Sequence, residues 1–185
     1  VLATEQGFTQ WATQGTMLRG WALAMQGQGK EGMAQIRYGI NAWRATAAAL
    51  RVPLFCALLA DVSAHLGHTE DGLQALVEAH TLVEQYEERW WEAEIHRLRG
   101  VLLLRQPGTP QAEAATWLQR ALDVARRQEA KSLELRAALS LCRLWQQQGK
   151  RDAACELLTP IYGWCTEGLD TADLQEARAL FDELS

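Results

Sequence analysis

Proline is scarce in this sequence, with four among 185 residues, at 53, 107, 110 and 160. Long stretches are therefore free of the residue that most reliably breaks a helix. Runs of valine, isoleucine and threonine are missing, which removes the usual composition of strands. No apolar run reaches the ~18 residues that a membrane-spanning helix needs, so no membrane partner is expected. No block of lysine or arginine is present, and the net charge of −5 is spread over interleaved acids and bases. Nucleic acid is accordingly not an expected partner. The cysteines Cys56, Cys142, Cys155 and Cys165 lack any CxxC spacing. Cys155 and Cys165 lie near enough in sequence to meet, but core thiols of a reduced, cytoplasmic protein are the preferred reading. The opening "VLATEQGFTQW" lacks the charged-then-apolar order of a signal peptide. It also lacks an initiator methionine, from which a piece of a longer chain is expected.

What the chain does contain is alanine, leucine, glutamine, glutamate and arginine, all good helix formers, and the expectation is an all-α fold. One stretch competes with that reading. "GQGKEG", residues 27–32, resembles a glycine-rich phosphate loop. The pattern GxxxxGK[ST] fails here, because position 24 is Ala24 and the residue after Lys30 is Glu31. The stretch also recurs, as "GHTEDG" at 67–72 and "GKRDAA" at 149–154, with "TPQAEA" at 109–114 in the same place. After each comes an apolar residue at the fourth position and a small or apolar one at the seventh: Ile36 and Gly39, Leu76 and Ala79, Leu118 and Ala121, Leu158 and Ile161. Those offsets lie on one face of a helix. Small residues precede each turn at Gly20, Ala60, Gly100 and Cys142. The period from Gly32 to Gly72 to Ala114 to Ala154 is 40, 42 and 40 residues. Such a period marks an array of antiparallel helix pairs. Glycine inside a helix costs about 1 kcal/mol relative to alanine, and is expected where two helices approach closely.

The helices are expected over 4–27 and 30–50, 53–66 and 69–86, 88–105 and 110–128, 131–148 and 151–164, with a last helix over 171–184. The last helix carries Leu174, Ala177, Leu180 and Phe181 as one apolar stripe, which suits a terminal capping element. Residues 1–185 read as a single repeat domain. The small residues at the eighth, twentieth and twenty-seventh places of each unit resemble those of tetratricopeptide repeats. The resemblance implies a right-handed superhelix of four helix pairs of about 40 residues plus the capping helix. The units are longer than the ~34 residues of the standard repeat. Thr16, Cys56, His96 and Ala138 stand where its first tryptophan would be.

A second resemblance covers nearly the whole chain. "ERWWEAEIHRLRGVLLLRQ", "ARRQEAKSLELRAALSLCRLWQQQGKRDAACELL" and "IYGWCTEGLDTADLQEA" resemble the C-terminal repeat region of a bacterial family, and "FTQWATQGTMLRGWALAMQGQGKEG" is similar to its entry. Members join a class III adenylate/guanylate cyclase homology domain to a P-loop signalling ATPase of the STAND or AAA type, and then to this array. The resemblance implies a non-catalytic regulatory module of a larger cytoplasmic signalling protein. Any cyclase or ATPase activity would belong to domains outside these residues.

No metal or cofactor is expected. His65 and His68 sit at a turn, and two histidines alone do not make a metal site. His96 lies one helical turn after Glu92, and a hydrogen bond between them is preferred to shared metal binding. Eight tryptophans, at 11, 21, 43, 90, 91, 117, 145 and 164, are expected mostly as core and as filling between units. Repeat phase places Met17, Trp21, Leu54 and Asp61 on the concave lining of the first two units. It places Glu94, Arg97, Arg136 and Arg143 on the lining of the next two. Such a face runs from apolar to basic, and suits a protein or peptide partner with an acidic end, or the parent protein's own ATPase domain. Self-association through the apolar front is left open. The alternative function is a small-ligand sensor, with an aromatic-lined pocket near Trp21 or Trp43.

Overall fold

The computed structural model describes residues 7–46 and 48–184. Among them all regular secondary structure is α-helix, with no strand. The helices are α1 (Thr9–Met25), α2 (Gly29–Arg44), α3 (Val52–Leu66), α4 (Thr69–Tyr86), α5 (Glu92–Arg105), α6 (Gln111–Arg127), α7 (Lys131–Gln147), α8 (Arg151–Tyr162) and α9 (Ala172–Leu184). They form four consecutive pairs and a terminal helix. The pairs gather into two compact units, Val1–Trp91 and Glu92–Ser185. No helix among the described residues is long and apolar enough to cross a membrane.

The turn inside a pair has one recurring construction. Gly27 ends α1 with φ of 90°, a left-handed conformation that glycine adopts without steric cost. The next amide, Gln28 N–H, then donates back to the Leu23 carbonyl at 2.9 Å. Gly67 and Gly149 repeat this conformation, with His68 donating to Ser63 and Lys150 to Trp145. These bonds satisfy carbonyls that a helix end leaves orphaned. "GQGKEG" is thus the bend between α1 and α2.

The small residues meet as the repeat demands. A Cβ on Gly20 would lie 2.7 Å from the Gly32 carbonyl oxygen and 3.1 Å from Ile36. A Cβ on Gly100 would lie 2.7 Å from Leu118 and 3.1 Å from the Ala114 carbonyl. In the fourth pair the Cys142 thiol donates to the Ala154 carbonyl at 3.4 Å. Large side chains fill the space beside these contacts. Met17, Ile36, Phe55 and Leu76 are fully buried in the first unit, and Leu118, Leu141, Leu158 and Leu180 in the second. Trp43 packs edge-on against Phe55 at 5.1 Å.

Two helix boundaries differ from the sequence reading. The second helix ends at Arg44 rather than at 50, and the fifth starts at Glu92 rather than at 88. The second helix closes in a turn where the Trp43 carbonyl accepts the Thr46 N–H at 3.0 Å and the Thr46 hydroxyl at 2.7 Å, and Glu88 ties the segment before the fifth to the start of the third. The Glu88 carboxylate accepts the Arg51 N–H at 2.8 and 2.9 Å and the Trp90 indole N–H at 2.8 Å. Arg51 adopts φ of 68°, outside any right-handed helix. Pro53 then falls in the first turn of α3, where a missing N–H costs nothing. The expected start of the first helix at 4 lies outside the described residues. The capping helix buries Leu174, Ala177, Leu180 and Leu184, while Phe181 is half-buried against Tyr162 at 5.7 Å.

Candidate interaction face

The first helix of each pair carries the residues expected to meet a partner. In the first unit these lie on α1 and α3. Met17 does not belong among them. It is fully buried, because its side chain occupies the space that Gly39 leaves by having no Cβ. Trp21 is half-buried, and its indole N–H donates to Asp61 Oδ2 at 2.8 Å. The residues are 40 apart, so the bond joins equivalent helices of neighbouring pairs. Leu54 is half-buried on the same helix as Asp61. Nearby, Arg51 donates to Gln14 at 2.8 Å, and its guanidinium lies 5.7 Å from the Trp11 ring centroid. Phe8, Trp11 and Leu18 form an exposed stripe along α1, on the side away from the core. Trp11 is 63% exposed. Repeat phase misses this stripe, because it lies outside the places assigned to the concave lining; the spacing of three and seven residues from Phe8 or Trp11 was its available signal.

In the second unit α5, α7 and α9 supply the charges. Glu94 is 3% exposed and accepts a forked pair from Arg97, Nε and Nη2 each at 2.8 Å. Arg136 reaches the same carboxylate at 3.0 Å. Burial alone would push the Glu94 carboxyl up; the Arg97 and Arg136 guanidiniums overcome this and hold it below the usual range. Arg97 also donates to the Ser140 hydroxyl at 3.2 Å. Arg136 lies 3.6 Å from Asp173. Arg143 donates to Glu183 at 2.5 Å and lies 3.9 Å from Glu176. Hydrogen bonds from Gln146 and Arg143 hold the Glu183 carboxyl below the usual range.

Arg97 and Arg136 meet at Glu94 while Arg143 pairs with Glu176 and Glu183, so the three are not the unbalanced basic surface that the sequence implied. Glu94, Asp173, Glu176 and Glu183 neutralise them within the same unit. The acids on α9 were within reach of sequence reasoning. Carrying the 40-residue phase one unit further puts Glu176 and Glu183 at lining places two and nine.

The remaining candidates are accounted for by packing. His96 is buried one turn from Glu92, at 3.6 Å, with its ring 5.3 Å from Trp117. Arg99 and Arg120 cover Trp117 at 4.1 and 4.7 Å. Among the described residues, no three His, Cys, Asp or Glu side chains gather as metal ligands would.

The chain matches no known protein-family profile. Over 128 residues it is 29% identical to "Uncharacterized protein R02095" of Rhizobium meliloti (strain 1021). The match covers 69% of this chain but 12% of that protein. The similarity is therefore to one segment of a far longer polypeptide.

Proposed function

We propose that the chain is a non-catalytic protein–protein interaction and regulatory module within a larger bacterial signalling protein. Its partner is another folded segment of that protein, and the ATPase domain implied by the family resemblance is the leading choice. The exposed stripe of Phe8, Trp11 and Leu18 carries this reading. Large aromatic side chains are the residue types that anchor interfaces. Their unit is already closed by its own core, so they contribute little to folding. The similarity to a segment of a much longer bacterial protein supports the same view. The arginines shift from contact residues to internal staples, and Trp21, Leu54 and Asp61 form the flank of the proposed contact.

The test begins with the reading frame that holds these residues. It should also encode a P-loop ATPase, and a frame without one refutes the regulatory part. Binding of the array to the separately expressed ATPase segment is then measured by calorimetry. Trp11→Ala should weaken it at least tenfold, about 1.4 kcal/mol, with an unchanged thermal melt. Equal affinity in the folded variant refutes the α1 stripe as the contact. Charge reversal at Arg97 is a poor substitute, because it would oppose buried Glu94 and disturb the fold.

The alternative reading is a ligand sensor with an aromatic pocket near Trp21 or Trp43. Trp43 is buried against Phe55, and Trp21 is tied to Asp61. The first unit does hold a cavity, but no tryptophan lines it.

A further inference from the structure

That cavity lies between α2 and α4 and has a volume of about 320 Å³. It is at the lower end of the ~300–1,000 Å³ range of small-molecule sites. Ile40, Cys56, Leu59 and Ala75 give it an apolar floor. Burial, and then Glu78, push the Cys56 thiol up to about 12, so the floor carries no charge near neutrality.

The walls are ordered by charge. Arg37 donates to Asp71 at 2.7 Å at one end, and Arg44 pairs with Glu78 at the other. Both pairs are about half exposed. Such pairs are worth about 0–1 kcal/mol, so opening either one costs little. Between them stand Asn41 and Gln74, whose side chains make no hydrogen bond among the described residues. On each helix the charged residues are seven apart, which spans about 10.5 Å. An extended chain covers about 3.3–3.6 Å per residue, so about three residues match that span. These two amides in the middle can take a peptide N–H and C=O.

The helix dipoles distinguish the ends. Asp71 is in the first turn of α4, where the backbone N–H groups favour an anion. Arg44 closes α2, whose terminal carbonyls favour a cation.

We propose that this cleft binds a short zwitterionic peptide of about three residues with an aliphatic side chain on the floor. Its C-terminal carboxylate lies at Arg37 and its N-terminal ammonium at Glu78. The site stands independently of the α1 interaction stripe.

The experiment is calorimetry of the whole chain with the tripeptide Ala-Leu-Ala at low salt. Saturable binding at one site per chain is expected. C-terminal amidation should cost at least tenfold, and should cost little further in Arg37→Gln. N-terminal acetylation should behave in the same way toward Glu78→Gln. Circular dichroism checks that the variants remain folded, as half-exposed pairs lead one to expect. The proposal is overturned by no saturable heat at millimolar peptide. It is equally overturned if the blocked peptide binds as well, if the two variants couple to the opposite termini, or if free leucine binds as tightly as the tripeptide.

Discussion

Gly32→Ala adds a single methyl group to α2, and it should destabilise the protein. The new Cβ would lie 2.9 Å from both the Cβ and the backbone N of Ala24, and closer still to the Gly20 carbonyl oxygen. Two of those three atoms belong to the backbone and cannot rotate away. The helices must separate, which also loosens Ile36 and the seat of Met17 against Gly39. Overpacking of this kind costs about 1–3 kcal/mol. Replacing glycine in a helix returns about 1 kcal/mol. With backbone as the obstacle, the clash belongs near the upper end, and the net loss should be about 1–2 kcal/mol. Gly15→Ala is the matched control. It is also inside α1, but a Cβ there meets nothing within 4 Å. It should gain up to about 1 kcal/mol. The variants should therefore differ by about 2–3 kcal/mol, or about 1–1.5 M in urea midpoint at a slope near 2 kcal/mol/M. Urea unfolding followed by tryptophan fluorescence measures the difference. A Gly32→Ala midpoint at or above the unsubstituted one would show that α1 and α2 do not touch here.

Glu94→Gln should cost about 1.5–3 kcal/mol at neutral pH, the range for hydrogen bonds to charged groups. Because folding lowers the Glu94 carboxyl from its ordinary 4.5, its contribution is complete above that value and is lost as pH falls toward the folded value. Urea midpoints at about pH 7 and about pH 3.5 should accordingly converge between the two proteins; an equal gap at both would exclude ionised Glu94 as the staple. Thiol labelling should sort the cysteines. Cys56 and Cys142 are buried, and burial pushes each thiol up to about 12, so a thiolate-seeking reagent should spare both in the native protein. Cys155 and Cys165 are half-buried and should react first, as read by mass spectrometry of digests; equal rates for Cys56 would show that the α3 core opens readily.

Sequence alone determined the helix pairs, their turns and their closest contacts. Each follows from a constraint that repeats at short range. Gly27, Gly67 and Gly149 supply left-handed turns, and the small residue 12 positions before Gly32 or Ala154 marks where the paired backbones meet. The apolar stripe of α9 was legible for the same reason, as one helix's own periodicity. Only the tertiary structure decided which charges remain available. Arg136 and Arg143 are answered by acids 37 and 40 residues away, and Trp21 by Asp61 at the same remove as Arg143 from Glu183. Glu88 fixes the entry to α3 by taking the Arg51 amide, 37 residues back along the chain. Met17 left the expected lining because Gly39, on the facing helix, makes room for it. Backbone geometry is dictated by neighbours within a turn, so it can be read in order along the chain. Side-chain partnership depends on what the next helix pair brings alongside, and that is set only once the pairs are packed.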